Sequence, residues 1–207
     1  MARHGESTWN VEGRYQGRRD PPLSILGLKQ AEALAARVGA EDISAVFSSP
    51  LTRSLQTATN CVKAVGLDVI VDERLTEISH GAWEGRLKDD VARTDPAALE
   101  GWLRHPERMT APGGETLTAV KDRLEEFWSD LSQRNPAGSV LAVTHDVIVR
   151  LALLSAQRRP LSDLHQVEID NASLTTFELN SDGLSLLGFN EVEFLGGLRS
   201  RLAGQAR

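Results

Sequence analysis

The feature that most restricts the fold is a repeated switch of hydrophobic period. Ser139 to Val143 is a short apolar run, bounded upstream by Asn135, Pro136 and Gly138 and downstream by Thr144-His145-Asp146. A run of that length without alternation is the pattern of a strand buried on both faces. Before it, Thr116 to Gln133 carries Leu117, Val120, Leu124, Phe127, Trp128 and Leu131 on one face with charged residues opposite, and Val147 to Ala156 after it is helical again. A doubly covered strand between two helices demands a sheet with helices on both sides.

The same switch occurs earlier. Leu28, Ala31, Leu34, Ala35 and Val38 give one apolar helical face, with Gly39 as its stop. Ile43 to Phe47 is a short buried strand broken by Ser48-Ser49-Pro50. Leu51, Leu55, Ala58, Val62 and Val65 resume helical spacing until Gly66, and Asp68 to Asp72 is the next strand. Ser173 to Leu179 and Leu184 to Phe189 alternate instead, and with Asn180 to Gly183 between them they predict a hairpin. The expected fold is three-layer α/β/α, with a mostly parallel central sheet and an antiparallel edge. At 207 residues, without repeat or linker, residues 1–207 are expected to form one domain. Residues 3–24 are expected to be loop, 80–112 a covering insertion over a site with Trp83 and Trp102 as packing, and 195–207 a flexible tail.

Composition excludes several function classes. A net charge of -6 argues against a nucleic-acid footprint, so an anionic ligand would need a local positive pocket. Cys61 is the only cysteine, which forbids an intramolecular disulfide, fits a reducing compartment and suits a small buried hydrophobe. The histidines lack ligand spacing, and no metal and no cofactor are expected. The greasiest run, Val147 to Leu154, is short and interrupted by Arg150, so no membrane span is expected and cytoplasmic residence follows. Nothing specifies an oligomeric state. Phosphate loops of the G-x-x-x-x-G-K-[ST] type and dinucleotide fingerprints are absent.

Arg3-His4, Arg53 and His145 fall at three strand-to-loop junctions of this expected sheet, where α/β scaffolds display their chemistry. Guanidinium forks match the oxygens of a phosphoryl group, and two such Arg-His sets in an acidic chain suggest a built anion site.

Around those residues the chain resembles the histidine phosphatase superfamily, which includes the cofactor-dependent phosphoglycerate mutases. The resemblance rests on Arg3-His4-Gly5-Glu6-Ser7, Trp9-Asn10, Gly13-Arg14, Gln16-Gly17, Asp20 and Pro22-Leu23. It continues through Ser48-Ser49-Pro50-Leu51-Thr52-Arg53, Leu75-Thr76-Glu77-Ile78, Gly81, Trp83-Glu84-Gly85, Pro112-Gly113-Gly114-Glu115 and Val143-Thr144-His145. It implies a phosphoglycerate mutase-like fold and a phosphomonoester hydrolase acting through a phosphohistidine on a small phosphorylated metabolite. His4 would be the nucleophile, Arg3, Arg53 and His145 would hold the phosphoryl oxygens, and Glu77 would be the general acid with a raised pKa. Asn10, Gln16 and Gly17 match positions that line the phosphate pocket, Lys88 matches a mutase substrate-binding position, and His80 lies in the segment expected to set selectivity. Asp146 stands where many relatives have glycine. It is expected to cap the helix beginning at Val147, the alternative being the proton donor of the acid phosphatase branch.

A phosphatase is favoured because Arg93, Arg104 and Arg108 are separated where mutases carry an adjacent arginine pair. The alternatives are a phosphoglycerate mutase and an inactive relative that binds phosphorylated ligands or a protein partner. Relatives also lead into Arg3 with several apolar residues, where this sequence has Met1-Ala2. A start upstream of Met1, or a shortened chain, would account for that, and unpaired neighbouring backbone and a poorly anchored His4 are the expected consequences.

Overall fold

The computed structural model describes residues 1–134, 138–181 and 183–200. Six strands form one sheet: β1 (Ala2–Arg3), β2 (Ile43–Ser48), β3 (Val69–Val71), β4 (Ser139–Thr144), β5 (Leu174–Asn180) and β6 (Gly183–Glu191). Their order is β3-β2-β4-β1-β5-β6. The pairs β2/β3, β2/β4 and β1/β4 are parallel, whereas β1/β5 and β5/β6 are antiparallel. The mostly parallel sheet with an antiparallel edge is therefore as expected.

Helices α2 (Ile25–Val38) and α3 (Thr52–Val65) cover one face, burying Leu34, Val38, Ala58, Cys61 and Val62 against Val46, Leu141 and Val143. Helices α6 (Leu117–Arg134) and α7 (Asp146–Ala156) belong to the other face, where Leu124, Phe127, Ile148 and Leu151 pack with Phe47 and Ala142. A central strand such as β4 is apolar from Val140 to Val143 because both its faces meet helices.

Residues 3–24 depart from the expected loop. They contain a short helix α1 (Thr8–Glu12), made possible by Ser7: its hydroxyl accepts the Asn10 N–H at 3.1 Å while Asn10 Oδ1 accepts the Ser7 N–H at 3.0 Å, a reciprocal cap. The segment 80–112 holds α4 (Lys88–Thr94) and α5 (Pro96–Arg104), and Trp83 and Trp102 are buried packing residues. Residues 195–200 of the expected flexible tail are instead packed and hydrogen-bonded. Leu195 is buried with Ala172 and Val192, Gln30 Nε2 donates to the Leu198 carbonyl at 2.8 Å, and the Ser200 hydroxyl donates to Glu6 at 2.9 Å. Residues 201–207 of that expectation lie outside the described residues.

The two residues of β1 hold the centre of the sheet. Contrary to expectation, His4 is firmly anchored: its N–H donates to Thr144 O at 2.9 Å, and its carbonyl accepts from Ala172 N at 3.1 Å and Asn171 Nδ2 at 3.2 Å.

Candidate active site

Each functional side chain sits where a strand runs out. His4 follows β1, His145 follows β4, Arg53 lies in the first turn of α3 just after β2, and Glu77 follows the turn that ends β3. Parallel strands present these ends on one edge of the sheet, which is why residues far apart in sequence converge there.

His4 is buried with its Nδ1 2.6 Å from the Gly5 carbonyl. A carbonyl only accepts, so Nδ1 carries the proton and Nε2 keeps its lone pair. That lone pair accepts the Arg53 Nε–H at 3.3 Å. Burial, then Arg53 and Arg3, hold the His4 pKa well below the ordinary value, leaving a neutral imidazole.

Arg53 is 1% exposed, yet its fork is fully used: Nη1 donates to Arg19 O and Nη2 to Gly17 O, both at 2.8 Å. Burial lowers its pKa to about 10, so it stays charged at neutral pH. Gly17 is required for this arrangement. It has φ +51°, and a Cβ there would lie 2.2 Å from Glu84 Oε1.

Arg3 donates through Nη1 to Ile169 O at 2.5 Å and lies 3.5 Å from Asp146 Oδ1. Asp146 also pairs with Arg150, Nε to Oδ2 at 3.0 Å, and Arg150 Nη1 donates to Leu164 O at 3.0 Å. The expected cap is thereby corrected: His145 occupies the N-cap position, and Asp146 is the first residue inside α7, its carboxylate spent on two guanidinium groups. A helix start one residue earlier than the apolar pattern suggested turned a capping position into a pairing one. Arg150 escaped the sequence reading, which took it only as a break in an apolar run. The signal was its spacing four residues after Asp146, which stacks the two on one helix face.

His145 is stacked edge-on to His4, ring centroids 5.1 Å apart. Its Nε2 lies 2.7 Å from Ser49 Oγ and 3.3 Å from Ser54 Oγ, while Nδ1 has no hydrogen-bond partner among the described residues. Burial, Arg53 and then His4 keep its pKa well below the usual value. Two neutral rings between two cations form a site whose positive charge comes from side chains other than histidine.

Glu77 is 8% exposed, and its Oε1 accepts the Ile78 N–H at 2.9 Å. Burial, seconded by the negative charge of Asp146, raises its pKa to about 7, and the Ile78 bond and Arg53 only partly oppose this. A carboxyl poised near neutrality can give a proton and take one back.

Arg3, His4, Asn10, Gln16, Gly17, Arg53, Glu77, His80, Lys88 and Asp146 line one cleft, with Trp102 and His165 on its far wall. His145, edge-on to His4, is fully buried beside that cleft. Asn10 Oδ1 is engaged with Ser7 and Asn171, and Gln16 Oε1 accepts from the Ser7 hydroxyl at 2.7 Å. His80 packs edge-on against Tyr15 and Trp102, and burial lowers its pKa to about 4. Burial lowers Lys88 to about 8. Of the aromatic wall, Trp102 was expected as packing in the covering segment, whereas Tyr15 and His165 were missed in sequence, since rings at such positions read equally well as core.

A parallel α/β sheet that gathers arginines and neutral histidines at its strand ends defines a class of proteins that handle phosphoryl groups through histidine. The chain belongs to the histidine phosphatase superfamily, branch 1, whose sequence model matches residues 1–192. It is 35% identical over 196 residues to phosphoserine phosphatase 1 of Hydrogenobacter thermophilus, an alignment covering 95% of this chain and 93% of that one. Among solved structures, Bacillus stearothermophilus YhfR superposes with a TM-score of 0.89 at 30% identity, covering 94% of this chain and 96% of that one. A mycobacterial glucosyl-3-phosphoglycerate phosphatase superposes with a TM-score of 0.87 at 29% identity, covering 93% and 98% respectively.

Proposed function

We propose that the protein hydrolyses small phosphomonoesters without a metal ion, through a phosphohistidine on His4. The observation that carries this reading is the tautomer of His4: a neutral ring with its lone pair on Nε2, held at that position by the Gly5 carbonyl and facing Arg53. In the first step Nε2 forms a bond to phosphorus, the bond from phosphorus to the ester oxygen breaks, and the departing oxygen takes the Glu77 proton. The Arg53 Nε–H moves from the ring nitrogen to a phosphoryl oxygen as the new bond forms, its two Nη groups staying on Gly17 O and Arg19 O. Arg3, held by Ile169 O and Asp146, and the Nδ1 side of His145 serve the remaining oxygens. In the second step water attacks phosphorus, gives its proton to Glu77, and the bond to Nε2 breaks, restoring neutral His4 and releasing phosphate.

Hydrolysis is favoured over mutase chemistry by the exposure of Arg93, Arg104 and Arg108, whose side chains are 74%, 73% and 81% exposed and take no part in lining the cleft. No second fixed cation set is thus offered to a substrate carboxylate by these residues, although Lys88 lines the cleft. The phosphoserine phosphatase relative makes a phosphorylated amino acid the first substrate to try. The same reading covers residues 1–207 as one domain, in the cytoplasm and without a nucleic-acid partner, resting on the lone buried Cys61 and the acidic balance. No described helix is long and apolar enough to cross a membrane. The test is release of phosphate from p-nitrophenyl phosphate in the presence of a chelator, with trapping of an acid-labile phosphoenzyme. His4→Ala should abolish both; turnover that survives His4→Ala would refute the mechanism.

A further inference from the structure

The peptide group between Gly17 and Arg18 has both of its ends taken. Its oxygen accepts Arg53 Nη2 at 2.8 Å, and its N–H donates to Glu84 Oε1 at 3.1 Å. A trans peptide is planar, with C=O and N–H pointing opposite ways, so an anchor on one end aims the other. Gly17 makes such an anchor necessary. At φ +51° it has no side chain to restrict the peptide that follows, and the space a Cβ would fill lies 2.2 Å from Glu84 Oε1.

Glu84 is itself fixed from the other side. It closes the short turn Gly81–Trp83, its N–H donating to Gly81 O at 3.1 Å beside the fully buried Trp83. The same Oε1 accepts the Ser79 hydroxyl and the His80 N–H, each at 3.0 Å, in the segment that continues from Glu77. One oxygen thus spans the loop that seats Arg53 and the stretch that carries the proton donor. The side-chain pairs nearby explain less. Arg18 with Glu115 at 3.2 Å and Arg19 with Glu84 at 3.8 Å use guanidinium groups that are 50% and 69% exposed, and ion pairs of that kind contribute little. Asp20 secures the far end of the loop, accepting Thr52 N at 2.6 Å and Thr52 Oγ1 at 2.7 Å, which leaves the Gly17–Arg18 peptide as the part that Glu84 orients.

We propose that Glu84 is a positioning residue for phosphoryl transfer, acting through the Gly17–Arg18 peptide to aim and polarise the carbonyl that seats Arg53; this rests on the hydrolytic roles assigned to His4 and Arg53. Arg53 presents its Nε–H to His4 while its Nη groups rest on two carbonyls, so those carbonyls set the plane of the guanidinium and the direction of the Nε–H. A carboxylate on the N–H end also makes the Gly17 oxygen a stronger acceptor, because hydrogen bonds in a chain polarise one another. Glu84 supports the cation directly as well: burial lowers the Arg53 pKa, and Glu77, Asp20 and Glu84 oppose it.

The test is a double-mutant cycle of Glu84 and Arg53, read by p-nitrophenyl phosphate turnover and by affinity for inorganic phosphate, with Tm as the folding control. Glu84→Ala alone should lower kcat/KM by about tenfold or more, the scale on which a misplaced group at a reacting centre is felt. Glu84→Gln, which keeps an oxygen for the same donors, should recover most of that loss. In an Arg53→Ala background Glu84→Ala should cost less than about twofold, since its effect passes through Arg53. Should Glu84→Ala not fold, Glu84→Asp, with the charge kept and the reach shortened by a methylene, takes its place in the cycle. Phosphate affinity, measured by calorimetry, should show the same dependence on Arg53. That readout needs no turnover, so it separates failure of this proposal from failure of the His4 mechanism, which His4→Ala tests. Equal losses from Glu84→Ala with and without Arg53, or a glutamine variant as impaired as the alanine one, would overturn the proposal.

Discussion

Replacing Glu77 by glutamine separates proton donation from mere packing, because the structure predicts opposite effects on activity and stability. The carboxyl titrates at about 7 when folded against an ordinary 4.5. At about 1.4 kcal/mol per unit, that shift is about 3 kcal/mol of folding free energy. The sign follows from proton binding: between these values the folded state holds the proton and the unfolded state has lost it, so this stability is present below pH 4.5 and is lost as pH rises through 7. Glu77→Gln, neutral at every pH, should therefore gain up to about 3 kcal/mol relative to wild type at pH 8 and nothing at pH 4, measured by urea denaturation. Activity should move the other way. For an alkyl phosphate, kcat/KM should fall by about 10² to 10⁴, the usual worth of a positioned acid. For p-nitrophenyl phosphate, whose oxygen departs readily as an anion, the loss should be smaller. In wild type the alkyl phosphate rate should decline about tenfold per pH unit above 7, and the variant should lack that limb. Equal losses on both substrates with the limb retained would refute the donor role, and no gain in stability at pH 8 would refute the burial argument.

Asp146→Asn should move the alkaline limb to lower pH, since the carboxylate of Asp146 is the second cause of the raised Glu77 pKa; a lost limb would make Asp146 the donor instead. Arg150→Met should destabilise the protein by about 3 to 5 kcal/mol in denaturant titration, because Asp146 would keep only the 3.5 Å contact with Arg3 while remaining buried. Gly17→Ala should lower kcat/KM by more than tenfold with a smaller effect on the global fold. Its methyl meets Glu84, and the carbonyl that holds Arg53 Nη2 must shift.

Local pattern carried much of the architecture. Amphipathic spacing located α2, α3 and α6 to within about two residues, a typical boundary error, because one face of each must meet the sheet. It failed where local hydrogen bonding overrode the pattern: Ser7 and Asn10 make a helix in a glycine-rich stretch, and Gln30 and Glu6 hold a segment that composition alone marked as tail. In the site, His4, Arg53 and His145 were legible as arginines and histidines beside strand ends, and Glu77 only through the resemblance of Leu75-Thr76-Glu77-Ile78 to a family motif. Arg150, Tyr15 and His165 were not, since each looks like ordinary core or an interruption of it until the partner across the cleft is known.

What the sequence by itself determined is therefore chemical: which groups are available, and that strands and helices alternate so as to collect them at one sheet edge. Only the tertiary structure decided their states. Burial makes His4 and His145 neutral, places Glu77 near pH 7 and leaves Arg53 charged. A pKa depends on desolvation and on charges brought near by folding, and neither is a property of neighbours along the chain.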